Sequence, residues 1–230
     1  MGNLSEYQSL RAEVETLYTN MIPSFPTETF VKAVRLMGLE QHGVLAFRSE
    51  DEPSVLFDFL VYEAVNGHVS GIERYLQNAA NITARDRKLL AAMVGTPTSL
   101  YRTVATFPDK SLIAVQDVLH PEQPEIMLTD ISMSHASIMD ALLVMRMLRF
   151  PKVSMTSGIV MPFPRDLESF LLRKSKILQK KVPSSHEGVR GFVAYFQLYR
   201  EFGIAMQYAD VKKAGPSHRT HLWRTTQPMR

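Results

Sequence analysis

Apolar residues recur at helical spacing through the first 95 residues of the chain. Within 5–21 they lie at i, i+4, i+7 and i+11, which puts them on one stripe of a helix: Leu10, Val14, Leu17 and Met21. Proline residues then interrupt the pattern, and the same periodicity resumes after them. Further helices are therefore predicted at 27–37, through 56–63, at about 71–80 and at about 84–94.

Three helix ends carry recognisable sequence signals. Ser70 precedes Glu73 by three residues, and Thr83 stands in the same relation to Asp86. In this capping box the hydroxyl and the carboxylate each accept a hydrogen bond from a backbone N–H of the first helical turn. The second helix is predicted to end at Gly38, because glycine readily adopts the left-handed backbone found at helix C-termini.

The pattern changes after residue 96. Short runs rich in β-branched and aromatic residues alternate with proline-containing turns at about ten-residue spacing, which is typical of strands. These runs lie at 99–107, 111–119, 125–131 and 153–161. Residues 141–149 form an apolar run that is too short for periodicity to distinguish strand from helix. If all five are strands, they predict a small antiparallel sheet or barrel.

Two helices are predicted after the strands, from 165 to about 181 and from about 187 to 209. The second carries an aromatic stripe at helical spacing: Phe192, Tyr195, Phe196, Tyr199 and Phe202. Such a stripe most often packs into a core, although it could also stack on the bases of a single strand.

The predicted fold class is therefore α+β, with a helical N-terminal part, a small antiparallel β-sheet or barrel, and C-terminal helices. Along the chain this gives a helical part over 1–95, a small β-module over 96–164, C-terminal helices over 165–211 and a basic flexible tail over 212–230.

Five short motifs occur in a fixed order between residues 58 and 163. They are Ser99-Leu100-Tyr101, Asp117-Val118-Leu119, Asp130 followed by Ser132 and Ser134, Met145-Arg146-Met147-Leu148, and Ser157-Gly158. In this order and spacing the stretch resembles a group of uncharacterised bacterial proteins, many of which end in a small cysteine-rich SEC-C zinc tail. The resemblance implies a helical part followed by a small β-module, and it implies no activity. Because the chain has no cysteine, the zinc tail is missing and its metal role is not expected here.

Composition limits the classes of protein to which the chain can belong. Of its 230 residues 45% are hydrophobic and 21% are charged, which is typical of a globular protein. The absence of cysteine excludes disulfides and thiolate zinc sites. The first residues lack a signal-peptide pattern, and no apolar run approaches the roughly 20 residues of a membrane span. We therefore expect a cytoplasmic protein with no membrane partner.

Charge is divided unevenly along the chain. Residues 1–172 hold 14 basic against 20 acidic side chains, a balance of −6, whereas residues 173–230 hold 12 against 3, a balance of +9. A solvated face is the commonest reason for such charges, but the excess also favours an acidic partner, a polyanion, or attraction to the acidic part of the same chain. The candidate binding residues are Arg173, Lys174, Lys176, Lys180, Lys181, Lys212, Lys213, Arg219 and Arg224.

Motifs for catalysis, cofactor binding and metal binding are not recognisable. The chain has no Gly-x-Ser-x-Gly elbow and no glycine-rich phosphate loop, and its close histidine pair, His218 and His221, has no carboxylate near it in sequence. We predict no catalytic residue, no cofactor and no metal. One polar cluster is a candidate, because Asp117 and Asp130 end successive predicted strands and Arg146 lies in the next. A structural ion pair is the expected outcome, and a ligand-binding cluster is the alternative.

These observations favour a non-enzymatic binding or adaptor protein that recognises an unknown partner through the β-module and the basic C-terminal end. One alternative is a nucleic-acid-associated factor that uses the basic end on phosphates. The other is an enzyme with a cryptic polar site around Asp117, Asp130 and Arg146.

Overall fold

Helices build the N-terminal part of the computed structural model, which describes residues 3–65, 67–79, 82–136 and 138–204. They are α1 (Asn3–Met21), α2 (Thr27–Met37), α3 (Glu52–Tyr62), α4 (Gly71–Asn78) and α5 (Ala84–Met93). The helices predicted from periodicity are therefore confirmed to within a few residues. A short hairpin lies between α2 and α3, outside the predicted β region. Its strands have two residues each, β1 (Glu40–Gln41) and β2 (Val44–Leu45).

The predicted helix ends are also confirmed. The Ser70 hydroxyl accepts from the backbone N–H of Glu73 at 3.3 Å, and the Ser70 backbone N–H donates to the Glu73 carboxylate at 2.9 Å. Thr83 and Asp86 form the same two bonds at 3.1 and 3.0 Å. Gly38 ends α2 with a φ of 69°, in the left-handed region.

Five strands close into a barrel. They are β3 (Thr98–Phe107), β4 (Leu112–Asp117), β5 (Ile126–Thr129), β6 (Ala141–Arg149) and β7 (Ser154–Pro164). The ring order is β3-β4-β5-β7-β6, and β6 pairs with β3 to complete it. Neighbours are antiparallel except β5 and β7, which meet in parallel at Leu128 and Ser154. A short helix, α6 (Ile131–Ser134), follows β5.

The connectivity of this barrel is that of a known architecture. Counted within the barrel, the order is 1-2-3-5-4, the first and fourth strands close the ring, and a short helix lies between the third and fourth. This is the connectivity of the OB-fold, a five-stranded Greek-key barrel. The α+β prediction is therefore confirmed, and of the two predicted forms of the β-module the barrel is the correct one.

The run at 141–149 is a strand that is buried on both sides. Its inward residues fill the barrel interior, and they include Leu143, Met145 and Met147. Its outward residues pack against helices, and they include Leu142, Val144 and Leu148. A strand covered on both faces loses the alternation of apolar and polar residues, which is why periodicity alone could not assign it.

The long strands bend at two irregularities. The register between β3 and β4 shifts at Val104, and that between β6 and β7 shifts near Gly158. Gly158 has a φ of 121°, a conformation that strongly favours glycine. The Ser157-Gly158 motif therefore marks a bulge in β7.

Two helices follow the barrel, α7 (Glu168–Gln179) and α8 (Glu187–Phe202), and α8 packs on β3 and β7. The described residues after the barrel, 165–204, contain no strand, as predicted. The aromatic stripe is core at Phe192 and Phe196, but Tyr199 is only half-buried. The last helix ends at Phe202, because Gly203 is extended, and not near 209 as predicted. The basic tail lies outside the described residues.

Candidate binding surfaces

Arg146 lies between the barrel and the helices, with only 2% of its surface exposed. Its Nε donates to a carboxylate oxygen of Asp58 at 2.9 Å, and its Nη2 donates to Glu63 at 2.7 Å. Its Nη1 donates to the backbone oxygen of Thr96, also at 2.9 Å. Each nitrogen of the guanidinium is therefore occupied, two by carboxylates of the helical part and the third by a backbone oxygen of the link between α5 and β3.

The surroundings of this cluster keep Arg146 charged and closed off. The guanidinium lies 4.6 Å from the ring centre of Tyr62 and 5.3 Å from that of Phe192. Burial by itself disfavours the charged form, but Asp58 and Glu63 outweigh burial and hold the pKa of Arg146 above its ordinary value. The gap beside Arg146 and Asp58 is too small to hold a water molecule, so a ligand has no room there.

The predicted polar cluster is wrong in its membership, because Asp117 and Asp130 have other partners. Asp117 accepts from the Ser99 hydroxyl at 2.8 Å and from two backbone N–H groups after β4. Asp130 caps α6 by accepting from the N–H of Met133 at 2.8 Å. Arg146 is paired with carboxylates as predicted, but they are Asp58 and Glu63, which the topology brings to it from 88 and 83 residues away.

One sequence signal could have identified the correct partner. Asp58 stands alone among apolar residues in α3, within the run Val55–Val61, and it is buried. A lone carboxylate in an apolar helix needs a partner for the same reason as a lone arginine in an apolar strand. Matching these two exceptions would have paired Asp58 with Arg146.

Two buried tyrosines lie next to this cluster. The hydroxyls of Tyr18 and Tyr62 are 2.9 Å apart, and Tyr18 donates to the backbone oxygen of Ser157 at the same distance. Burial raises the pKa of both phenols. Both tyrosines therefore stay protonated at neutral pH, which suits a structural role rather than proton transfer.

The outer side of β4, β5 and the second half of β3 presents apolar side chains to solvent. The exposed fractions are 37% for Val104, 39% for Phe107 and 44% for Met127. Cross-strand register places Phe107 opposite Leu112, and Ala105 and Met127 on either side of Ala114, and residues directly opposite each other in antiparallel strands share a face. Val104 lies at the register shift beside Ala105. We call this surface the open face. It consists of the exposed Val104, Phe107 and Met127, the half-buried Ala105 and Leu112, and the buried Ala114 between Ala105 and Met127.

A cleft of about 340 Å³ borders the open face, between the start of β5 and the loop that joins β6 to β7. Its lining includes Met127, Phe150, Glu125, Arg149 and Lys152. Small-ligand sites commonly occupy roughly 300–1,000 Å³, so this cleft is at the lower limit of that range. Because Met127 belongs to both surfaces, the cleft is an extension of the open face.

The basic residues of α7 and of the two positions after it form a second surface. Arg173, Lys176 and Lys180 lie at i, i+3 and i+7 and are exposed, whereas Leu171 and Ser175 face the core. Lys174 and Lys181 flank the stripe, and we call these five basic residues the basic ridge. The other predicted binding residues lie outside the described part of the chain: Lys212, Lys213, Arg219 and Arg224.

Neither a metal site nor a membrane span is found in the described residues. No group of three or more histidine, aspartate or glutamate side chains within them could hold a metal ion. None of the described helices combines the length and the apolar character needed to cross a bilayer. The close histidine pair, His218 and His221, lies outside the described residues.

Comparison with known proteins places the chain in a family. A family model matches residues 1–209 and is described as "Family of unknown function (DUF7986)". The chain belongs to this family. The DUF7986 match includes the barrel, the open face and the basic ridge, and it ends before Lys212, the first basic residue of the tail. No curated protein and no solved structure matches the chain. The resemblance to proteins with a SEC-C tail stays a prediction.

Proposed function

We propose that this protein is a non-enzymatic binding or adaptor protein that recognises a protein partner on the open face. The observation that carries the proposal is the grouping of Val104, Phe107 and Met127 on one exposed side of the barrel. Helices cover the outer surface of the barrel elsewhere, as at β6, whose outward residues Leu142, Val144 and Leu148 are buried against them. An apolar sheet surface left exposed in this setting marks an interaction site.

The arrangement of charges favours a protein over a nucleic acid at this face. Its six residues are all uncharged, and Arg102 at its border is paired with Glu168 at 2.9 Å. The loop after β3 adds Asp109 and Lys110, which cancel in charge. Oligonucleotides and oligosaccharides bind the corresponding surface of other OB-folds, but connectivity alone does not carry a function. An uncharged apolar centre with a polar border matches protein–protein interfaces.

The placement of the buried charges supports a binding role over catalysis. The cryptic site suggested by Asp117, Asp130 and Arg146 does not assemble. Asp117 accepts a hydrogen bond from a backbone N–H in the turn after β4, and Asp130 accepts one at the start of α6. Arg146 is enclosed without space for a substrate. The enzyme alternative therefore loses the residues on which it depended.

Site-specific photo-cross-linking in the producing cells tests the proposal. A photoreactive phenylalanine analogue replaces Met127 on the open face. In a second version of the protein it replaces Val94, an apolar residue of similar exposure at the end of α5, outside the open face. We expect a discrete protein adduct from position 127, absent from position 94 and lost with Phe107→Lys. The purified pair should then bind with an affinity that changes by less than about threefold between 50 and 500 mM salt, since an apolar contact is little screened. Adducts to nucleic acid alone, equal adducts from both positions, or none would refute the proposal.

A further inference from the structure

We propose that the basic ridge of α7 is a nucleic-acid-binding surface that contacts the phosphodiester backbone, independently of the open face. The ridge occupies one stretch of nine residues, 173–181, which holds five cations and no acid. Its residues Arg173, Lys176 and Lys180 rise by about 4.5 and 6 Å along the helix axis, given 1.5 Å per residue. A nucleic-acid strand presents one negative charge per about 3.4 Å of duplex axis, so the cations of the ridge can meet several phosphates of one strand.

The ridge is not neutralised by the described part of the chain. No carboxylate within the described residues lies within ion-pair distance of its five cations, whereas other exposed arginines are paired, such as Arg35 with Glu40 at 2.9 Å. Asp166 and Glu168 precede the ridge in sequence, and Glu168 is occupied by Arg102. The charges of α7 therefore point outward rather than folding back on the acidic N-terminal half. An unpaired group of like charges attracts polyanions at long range.

The described chain ends close to the start of α7. The ring of Phe202 lies 5.0 Å from that of Phe170 in the first turn of α7, and the N–H of Ile204 donates to Pro162 at 3.0 Å. The sequence that follows, residues 205–230, holds five Lys/Arg against one acid. They also include Tyr208 and Trp223, residue types that stack on nucleic-acid bases.

The composition of the ridge favours nucleic acid over other acidic partners. Among its exposed positions only Ile177 is a large apolar residue, whereas a helix that lies on a membrane needs a continuous apolar face. A protein interface combines an apolar centre with a polar border, and the ridge has no such centre. A uniform row of cations fits a ligand whose charge repeats regularly.

Titration of labelled nucleic acid with the full-length protein tests this inference. The probes are a fluorescein-labelled 20-mer of deoxythymidine and a 20-base-pair duplex, measured by anisotropy at 20, 50 and 200 mM salt. The ridge variant is Arg173→Gln/Lys176→Gln/Lys180→Gln. The matched control, Arg48→Gln/Arg87→Gln/Lys88→Gln, removes three exposed cations away from both surfaces and so changes net charge equally.

We expect salt-dependent binding by the native protein, at least tenfold weaker binding by the ridge variant at 50 mM salt, and little change in the control. The slope of log affinity against log salt should fall by about 2 for the single strand or about 2.7 for the duplex, since each lost phosphate contact removes roughly 0.7 or 0.9. No binding at 20 mM salt, or equal losses in both variants, would overturn the inference. The inference would also be overturned if deleting residues 212–230 abolished nucleic-acid binding while the ridge variant bound as tightly as the native protein. Binding to anionic phosphatidylserine vesicles without binding to nucleic acid would assign the ridge to a membrane instead. None of these outcomes depends on the open face, which the cross-linking experiment tests separately.

Discussion

Replacing Arg146 by methionine should lower stability far more than the same change at an exposed position. The side chains of Arg146 and Asp58 are 3% and 4% exposed, and Glu63 is 9% exposed. Arg146→Met would therefore leave two buried carboxylates without their cation. Breaking a buried pair in this way costs about 3–5 kcal/mol. For a chain of this length, where 1 kcal/mol corresponds to roughly 2–4 °C, the expected fall in melting temperature is about 6–20 °C.

Differential scanning calorimetry at pH 7 measures this effect. Arg173→Met is the matched control, and because Arg173 is exposed on α7 we expect its unfolding free energy to stay within about 0.5 kcal/mol of the native value. Replacing the whole cluster, as Arg146→Met/Asp58→Leu/Glu63→Leu, should recover most of the loss, since an apolar set of similar volume needs no pairing. If Arg146→Met melts within about 2 °C of the native protein, or if the triple variant is no more stable than Arg146→Met, then the buried pairing is not what holds this region together.

Three other changes test the packing, the helix start and the alkaline limit of the fold. Phe196→Ala should cost about 3–5 kcal/mol in urea unfolding because Phe196 is fully buried, whereas Phe202→Ala, at a residue 37% exposed, should cost clearly less; equal costs would contradict the assignment of this stripe to the core. Ser70→Ala should cost about 0.5–2 kcal/mol by removing the capping box of α4, and no change would mean that the cap is not formed in solution. Burial, reinforced by Asp117, raises the pKa of Tyr101 to about 12, so the folded protein keeps a proton that the unfolded chain loses near pH 10. The resulting stability is complete below about pH 10 and is lost between about 10 and 12; Tyr101→Phe should flatten this decline in melts at pH 9 to 12, and an unchanged decline would refute the assignment.

The elements that the sequence determined by itself depend on contacts between near neighbours. The capping boxes at Ser70 and Thr83 and the end of α2 at Gly38 each need only residues within one helical turn, so they could be predicted from spacing. The strand runs were recognisable from residue type and turns for the same reason. The cluster of cations in α7 was visible as composition, although its exposure was not.

Tertiary structure alone decided where distant residues meet and which surfaces stay exposed. Arg146 sits 83 and 88 residues from its partners, so only the packing of α3 against the barrel could select Asp58 and Glu63 over Asp117 and Asp130. The parallel meeting of Leu128 with Ser154, which closes the ring, has no local signal either. The open face follows from which outward positions the helices leave uncovered, since Met127 of β5 is exposed whereas Leu142 and Val144 of β6 are buried against helices. Whether a residue is buried depends on the elements that pack around it in the folded protein, whereas the sequence pattern indicates only its tendency to be buried.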